Sequence, residues 1–197
     1  MSAAPKIAGL LLAGGQSQRF GAEKAMAKFR GRPMIEIVAE RFADFHGVAV
    51  SAPGQSGAAA FARAHGYGLI EDNPLSPAGP LAGICVGLEW AAARDFTHLA
   101  TAPCDTPLLP PDLYSTLAAE LGEASAAFAA TAEGDHALCA LWRIGLLAPL
   151  RETLAAGDHP AIRNFLLANG ARRVTFAGAA AFANANTPED LARLATQ

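Results

Sequence analysis

The feature that most constrains the fold of this chain is its alternation of short apolar runs with longer amphipathic stretches. Each apolar run is brief and stops at a glycine, a proline or a carboxylate, which is typical of buried strands. These runs predict strands at Lys6–Leu12, Val48–Ser51, Tyr67–Ile70 and His98–Ala102. The stretches between them predict helices at Pro33–Phe45, Gln55–His65 and Gly79–Ala93. Such alternation indicates an α/β fold around a mostly parallel sheet.

The pattern is less regular after Asp105. It predicts helices at Pro110–Leu121, Leu146–Ala155 and Pro160–Ala168, and strands at Ala126–Ala130, Ala137–Trp142 and Arg173–Phe176. We expect the sheet to become mixed in this part of the chain. A closing helix begins with Thr187 at the N-cap, Pro188 at the first helical position and Asp190 as the capping-box acid. No repeat or linker interrupts the chain, so we expect a single domain over residues 1–197.

The composition excludes several classes of protein. Of the 197 residues, 52% are hydrophobic and 17% are charged, as in globular proteins. The net charge of -3 provides no basic field, so nucleic acid is not an expected partner. No segment reaches the roughly 18 consecutive apolar residues of a membrane span. The three cysteines form no Cys-x-x-Cys pair, so we expect a cytoplasmic protein without disulfides or a zinc site.

A glycine-rich segment directly follows the first predicted strand. Leu12, Ala13, Gly14 and Gly15 open it, and Arg19 and Lys24 place two cations at its far end. Glycines after a strand let backbone N–H groups approach a phosphate, and the cations can neutralise a triphosphate while the glycines face a base. The spacing matches neither the Walker pattern nor the dinucleotide fingerprint. The alternative is an ordinary strand-to-helix turn with solvated charges.

Polar side chains also follow the later strands. Asp105 ends the fourth strand, where open α/β sheets place ligand-binding groups, and a carboxylate there suits Mg²⁺. The alternative is that Asp105 caps the turn before Pro107. Asp72 ends the third strand at the same edge, where its carboxylate either accepts hydrogen bonds from a ligand or forms an Asx turn. Asn184 and Asn186 precede the closing helix, and their amides either orient an oxyanion or metal ligand or serve as structural caps.

Four segments together resemble the molybdenum cofactor guanylyltransferase family, within the GT-A-like nucleotidyltransferases. They are the glycine-rich segment 12–24, Gly-Pro-Leu-Ala-Gly-Ile at 79–84, Pro-Cys-Asp-Thr-Pro at 103–107, and Asn-Ala-Asn-Thr-Pro-Glu-Asp-Leu at 184–191. They occur in the family's order and extend nearly from end to end of the chain. The resemblance implies one Rossmann-like, GT-A-like three-layer domain with a mostly parallel, partly mixed central sheet.

The resemblance also implies roles for particular residues. It makes Arg19, Lys24 and Asp105 catalytic, with Mg²⁺ on Asp105. It assigns nucleotide contacts to Leu12, Ala13, Gly14, Gly15, Lys24, Ser51, Asp72 and Asp105, and it associates Asn184 and Asn186 with the pterin or with catalytic support. Two positions depart from the family pattern. Ser51 stands where many members have Asn, and Ala137 replaces the Pro that follows His136, a histidine for which a structural role is the stronger interpretation.

The implied reaction transfers GMP from GTP to the terminal phosphate of molybdopterin or its molybdenum form, which releases pyrophosphate. The related cytidylyltransferase is one alternative, although its loop carries Ala where this chain has Gly14. A sugar-phosphate nucleotidylyltransferase and a non-catalytic carrier of the pterin or nucleotide are the others. The implied guanylyltransferase reaction also predicts transient contacts of this protein with cofactor-delivery proteins or apo-molybdoenzymes. Covalent catalysis is not expected, because Ser17 lacks a neighbouring base and Asp105 disfavours a Cys104 thiolate.

Overall fold

The computed structural model describes residues 5–14, 23–71 and 79–196. Within them, a seven-stranded sheet has the order β5-β4-β1-β6-β8-β7-β9, and β2 and β3 form a separate two-stranded hairpin. The strands are β1 Ile7–Leu12, β2 Lys28–Phe29, β3 Arg32–Pro33, β4 Gly47–Ala52, β5 Gly68–Glu71, β6 His98–Pro103, β7 Ala126–Thr131, β8 Gly134–Arg143 and β9 Arg172–Thr175. The α-helices are α1 Met34–Ala39, α2 Gly57–Ala64, α3 Pro80–Ala92, α4 Leu113–Leu121, α5 Leu147–Ala155, α6 Ile162–Ala168 and α7 Pro188–Ala195. Short 3₁₀ segments lie at Lys24–Met26, Glu40–Phe42, Ile144–Leu146 and Ala179–Phe182.

The strand directions confirm a mostly parallel sheet that becomes mixed. β1 lies between β4 and β6 and is parallel to both, and β5 is parallel to β4. β8 is antiparallel to β6 and to β7, whereas β9 is again parallel to β7. The carboxyl ends of β1, β4, β5 and β6 therefore share one edge of the sheet, where open α/β sheets bind ligands.

Helices cover both faces of the sheet, which confirms the three layers. α1, α2 and α4 pack on one face, and α3, α5 and α6 pack on the other. Successive residues of a strand point to opposite faces. Accordingly Leu10 joins the cluster under α3 while Leu11 joins the cluster under α1, and both side chains are fully buried. Within the described ranges, no helix is long and apolar enough to cross a membrane.

The prediction of one helix over Pro33–Phe45 was wrong at both ends. Pro33 pairs with Lys28 in the hairpin, and the α-helix begins at Met34 and gives way to a 3₁₀ turn at Glu40. The hairpin turns at Arg30 and Gly31, which have φ of 50° and 85°. Positive φ at both central residues is the geometry of a type I′ turn, which joins adjacent strands tightly. The glycine was the signal that sequence reasoning overlooked.

The other predicted elements are present, with shifted ends. Two predicted helices begin later than the prolines assigned to open them, at Leu113 and Ile162. The capping box of the closing helix is confirmed, because the Thr187 hydroxyl accepts from the Asp190 N–H and the Asp190 carboxylate accepts from the Thr187 N–H. A small apolar cluster packs this helix against the hairpin through Phe29, Met34, Ala185 and Leu194.

Candidate active site

One ammonium group joins three distant parts of the chain at the carboxyl edge of the sheet. Lys24 Nζ donates a short hydrogen bond to Asp105 Oδ2 and a second bond, of 2.6 Å, to Asn186 Oδ1. The side chains of Lys24 and Asp105 are only 15% and 14% exposed. Charged pairs at this depth are stronger than surface pairs, because less water screens them. The structure thus brings together three of the residues predicted from the sequence.

Asp105 is fixed by the turn that follows β6. The Thr106 hydroxyl donates to the Pro103 carbonyl at 2.9 Å, and the Asp105 carbonyl accepts from the Ala185 N–H at 2.9 Å. The side-chain hydrogen bond within this turn is therefore made by Thr106, whereas the Asp105 carboxylate faces Lys24. Its other oxygen, Oδ1, is buried and has no hydrogen-bond partner in the part of the chain that the structure describes.

The chemistry of this carboxylate fits a divalent cation. An orphaned buried carboxylate oxygen is costly unless a ligand satisfies it, and Mg²⁺ prefers such oxygens. The described residues contain no cluster of three or more His, Cys, Asp and Glu side chains that could hold a metal ion alone. One carboxylate together with substrate phosphates is a common magnesium arrangement, so a site completed by a nucleotide is the form that fits these residues.

Glu23 anchors the segment that carries Lys24, and sequence reasoning missed it. Its Oε2 accepts from the Gly57 N–H at 2.5 Å, and its Oε1 accepts from the Ala58 N–H at 2.6 Å. These N–H groups open α2, where a helix leaves donors unsatisfied and favours negative charge. A Cβ on Gly57 would lie 2.8 Å from Glu23 Oε2, so the glycine permits this close approach. A glutamate directly before the lysine was the available signal.

The closing helix positions Asn186. The Asp190 carboxylate of the capping box also accepts from the Asn186 N–H at 3.0 Å, which holds the backbone of that residue before α7. Its side-chain oxygen is then aimed at Lys24. Asn184 is exposed and lines a neighbouring cavity instead. The two asparagines therefore occupy different surroundings, although they are two residues apart.

The ends of β1 and β4 are joined by the backbone. The Ala13 N–H donates to the Ser51 carbonyl at 2.8 Å, and the Leu12 carbonyl accepts from the Cys104 N–H at 3.1 Å. Gly14 is exposed just beyond. Ser51 is only 2% exposed, and its hydroxyl lies 3.0 Å from the point where a Cβ on Gly83 of α3 would stand.

Three of the residues predicted to contact the nucleotide or its phosphates are not among those that the structure describes. Gly15, Arg19 and Asp72 lie outside the residues that the structure describes. Their assigned roles in phosphate and nucleotide binding remain predictions.

Cys104 and His136 have the surroundings of structural residues. Burial, and then the neighbouring Asp105, raises the pKa of the Cys104 thiol to about 12, so the thiolate is not available. The His136 ring stacks on Phe182 with centroids 4.5 Å apart, and its Nε2 lies 3.2 Å from the Thr131 hydroxyl. Burial lowers the pKa of His136, which favours the neutral ring.

A cavity of about 490 Å³ adjoins the strand end that precedes Asp105. Pro103 and Thr106 line it on that side, and the start of α3, the first half of β8 and the loop before α6 complete its wall. Ligand pockets have volumes of this order. An α/β sheet that gathers a lysine, a carboxylate and an amide at its carboxyl edge, beside such a cavity, is typical of α/β proteins that bind a ligand at this edge.

The comparisons with known proteins narrow this class. A family model described as a MobA-like NTP transferase domain matches residues 9–174. A Cereibacter sphaeroides protein named molybdenum cofactor guanylyltransferase is 40% identical over 190 residues, which cover 95% of this chain and 95% of the relative. A Rhodobacter capsulatus protein of the same name is 41% identical over 190 residues, covering 95% and 94%. The chain therefore belongs to the MobA-like family of nucleotidyltransferases.

A solved structure agrees with the fold. Molybdopterin-guanine dinucleotide biosynthesis protein A from Archaeoglobus fulgidus superposes with a TM-score of 0.73 at 22% identity, and the match covers 96% of this chain and 97% of that one. This likeness supports the observed three-layer architecture.

Proposed function

We propose that this protein transfers GMP from GTP to the terminal phosphate of molybdopterin or its molybdenum form, which yields a guanine dinucleotide cofactor and pyrophosphate. The observation that carries the proposal is the meeting of Lys24, Asp105 and Asn186 at the carboxyl edge of the sheet. It occurs in a chain whose 40% identical relative is named molybdenum cofactor guanylyltransferase.

The residues supply charge and position rather than a covalent step. Lys24 can pass from the Asp105 carboxylate to the triphosphate, where an ammonium offsets the charge that develops at the leaving pyrophosphate. Asp105 would hold Mg²⁺ through its unpartnered oxygen. When bound, the metal neutralises phosphate charge and polarises the reacting phosphate. Asn186 keeps one side of Lys24 fixed, which restricts the ammonium to the site.

No general base is required for the attack. A phosphate monoester has a second pKa of about 6, so the acceptor's terminal phosphate is already anionic near neutral pH. The remaining task is alignment of that oxygen with the α-phosphate of GTP, and well-oriented reactants can react many orders of magnitude faster than free ones. The proximity of the cavity to Asp105 supports this arrangement.

The choice of guanine over cytosine rests on Gly14. This residue is exposed at the end of β1 and has no side chain to occupy the space beside a purine. The cytidylyltransferase for the same pterin is the second candidate, since the described residues on their own fit either nucleotide.

A nucleotide panel tests the proposal directly. The purified protein is incubated with molybdopterin, Mg²⁺ and each of GTP, CTP, ATP and UTP, and pyrophosphate release and dinucleotide formation are followed together. GTP is expected to be the preferred donor by a wide margin. A preference for CTP would favour the cytidylyltransferase, and binding of pterin and nucleotide without pyrophosphate release would favour a carrier.

Variants in the same assay locate the reaction. Lys24→Ala is expected to raise the KM for GTP and to lower kcat, because an ammonium that stabilises developing charge contributes most in the transition state. The matched control is Arg151→Ala, which removes an exposed cation that pairs with Glu89 between α5 and α3. Equal activities of the two variants would show that Lys24 has no role in the reaction.

Magnesium dependence, a cytoplasmic location and transient contacts with delivery proteins or apo-molybdoenzymes belong to the same proposal. The three cysteines, Cys85, Cys104 and Cys139, are free and buried, which supports a reducing compartment. Loss of activity with a chelator and its recovery with Mg²⁺ would test the metal.

A further inference from the structure

Residues of β8 form one wall of the cavity, and β8 lies on the other side of β6 from β1 and β4. In the sheet order, β1 and β4, which carry Leu12 and Ser51, lie on one side of β6, while β8 lies on the other. Asp105 follows β6 and stands between the two sides. A donor nucleotide on the β1 side therefore leaves the cavity beside β8 for the second substrate.

The cavity contains a carboxylate that is held by two arginines. Asp135, at the start of β8, is 12% exposed and accepts a short hydrogen bond from Arg163 Nε on one oxygen. Its other oxygen accepts from Arg173 Nε at 2.5 Å. Arg173, and then Arg163, lower the pKa of Asp135, so the carboxylate stays ionised at neutral pH. A carboxylate has about four acceptor positions, so two bonds leave capacity for a ligand.

The two arginines differ in how they relate to the cavity. Arg163 lines it together with Asp135, and among the described residues its only hydrogen bond is the one from Nε. Its terminal NH₂ groups can therefore donate to a ligand. Arg173 is absent from the lining and also donates to the Thr131 carbonyl at 3.1 Å. Asp135 and Arg163 together present an acceptor beside a donor at the cavity wall.

The rest of the wall suits a flat ring. His136 and Phe182 both line the cavity and stack with an interplanar angle of 15°. Leu81, Leu138 and Ile162 add apolar surface. Burial lowers the pKa of His136, which favours its neutral ring. A planar heterocycle with polar groups along one edge is the ligand class that such a site binds.

We propose that Asp135 and Arg163 recognise the 2-amino-4-oxopyrimidine edge of the acceptor's pterin ring in this cavity, an inference that rests on the proposed function. The edge presents the exocyclic amine and the N3–H as neighbouring donors, followed by the 4-oxo acceptor. The Asp135 carboxylate accepts from the two donors, and Arg163 donates to the oxygen. Guanine carries the same edge, but Asp135 lies at the start of β8, across β6 from β1 and Gly14, and this position favours the acceptor.

Equilibrium binding of two probes tests the proposal without turnover. The probes are 6-hydroxymethylpterin phosphate and the matching lumazine phosphate, in which an oxo group replaces the 2-amino group. Both fluoresce, so each is titrated with protein and the quenching is followed. Wild type is expected to bind the pterin about ten- to a hundredfold more tightly, the difference made by one or two hydrogen bonds to a charged group.

Three variants separate recognition from structural support. Asp135→Asn is expected to reduce the pterin-to-lumazine preference to near unity, because an amide can pair with either edge. Arg163→Gln should weaken both probes similarly and keep the preference, because both probes retain the 4-oxo group. Arg172→Gln is the matched control, since it removes the neighbouring arginine of β9, which pairs with Glu120 and not with Asp135. It should change neither affinity nor preference, and circular dichroism checks the fold of each variant.

Several results would overturn the proposal. They are absence of probe binding or of pterin preference in wild type, an unchanged preference in Asp135→Asn, and equal effects of the two arginine variants. Competition between GTP and ITP, which lacks the 2-amino group, covers the guanine alternative. If Asp135→Asn abolishes the preference for GTP over ITP but keeps the preference for pterin over lumazine, the cavity binds the nucleotide base. Dinucleotide formation is measured in parallel. A protein that prefers the pterin probe but forms no dinucleotide would refute only the proposed function. A protein that forms the dinucleotide but does not prefer the pterin probe would refute only this inference.

Discussion

Glu23 offers the sharpest test of how the site is held in place. In Glu23→Gln the side-chain oxygen can accept from only one of the Gly57 and Ala58 N–H groups, and its NH₂ faces the other. The variant loses one charge-assisted hydrogen bond and the negative charge at the start of α2. Together these losses amount to about 2 to 3 kcal/mol of unfolding free energy. For a chain of this length the expected fall in Tm is about 4 to 12 °C.

The same substitution loosens the segment that carries Lys24, so activity should fall as well. The expected decrease in kcat/KM for GTP is about ten- to a hundredfold, the scale of a misplaced catalytic group. Stability is measured by urea unfolding, where the midpoint should shift without a change in slope. Ser56→Ala is the control, because Ser56 caps the same helix through the Ala59 N–H without touching Glu23.

This control should lose about 1 kcal/mol of stability and keep its kcat/KM. A Glu23→Gln variant as stable as wild type would refute the anchoring role. A destabilised variant with normal kcat/KM would refute the coupling to Lys24.

Three further predictions concern the site and its surroundings. Asp105→Asn should lower kcat by about a hundredfold or more while circular dichroism is unchanged, because it removes a metal-binding charge with almost no change in volume; near-normal turnover would exclude the metal role. Gly14→Ala should crowd a purine more than a pyrimidine and lower the GTP-to-CTP ratio of kcat/KM by about 10- to 200-fold, and an unchanged ratio would mean that this residue does not select the base. The lowered pKa of His136 means that the folded protein protonates this ring less readily than the unfolded chain does. The neutral ring therefore contributes to stability above pH 6.5, and this contribution is lost as the pH falls through the lowered pKa. The urea midpoint should therefore decrease from pH 7.5 to 5.5 by a smaller amount in His136→Gln than in wild type, and equal decreases would contradict this assignment.

The sheet was predictable because its signals are local. Short apolar runs with clear stops located β1, β4, β5 and β6, and Thr187 with Asp190 located the start of the last helix. The hairpin was missed because each of its strands has only two residues, too few to show periodicity. Its evidence lies in the turn, where Gly31 accepts a positive φ and Arg30 is held in one by the pairing on either side.

The site was predictable in its residue types and less so in its connections. Asp105 follows a strand and Asn186 precedes a capped helix, and both positions can be recognised locally. That one ammonium contacts both depends on pairs 81 and 162 residues apart, which no local pattern encodes. Glu23 and Asp135 were missed for the same reason, since their partners lie on α2, α6 and β9 and become neighbours only through packing.

The contact between Lys24 and Asn186 also bears on when the protein becomes competent during its synthesis. The sheet receives its last strand at Thr175, whereas the amide partner of Lys24 arrives with the segment that leads into α7. A ribosome-bound chain can therefore form its sheet before the site has its full set of side chains.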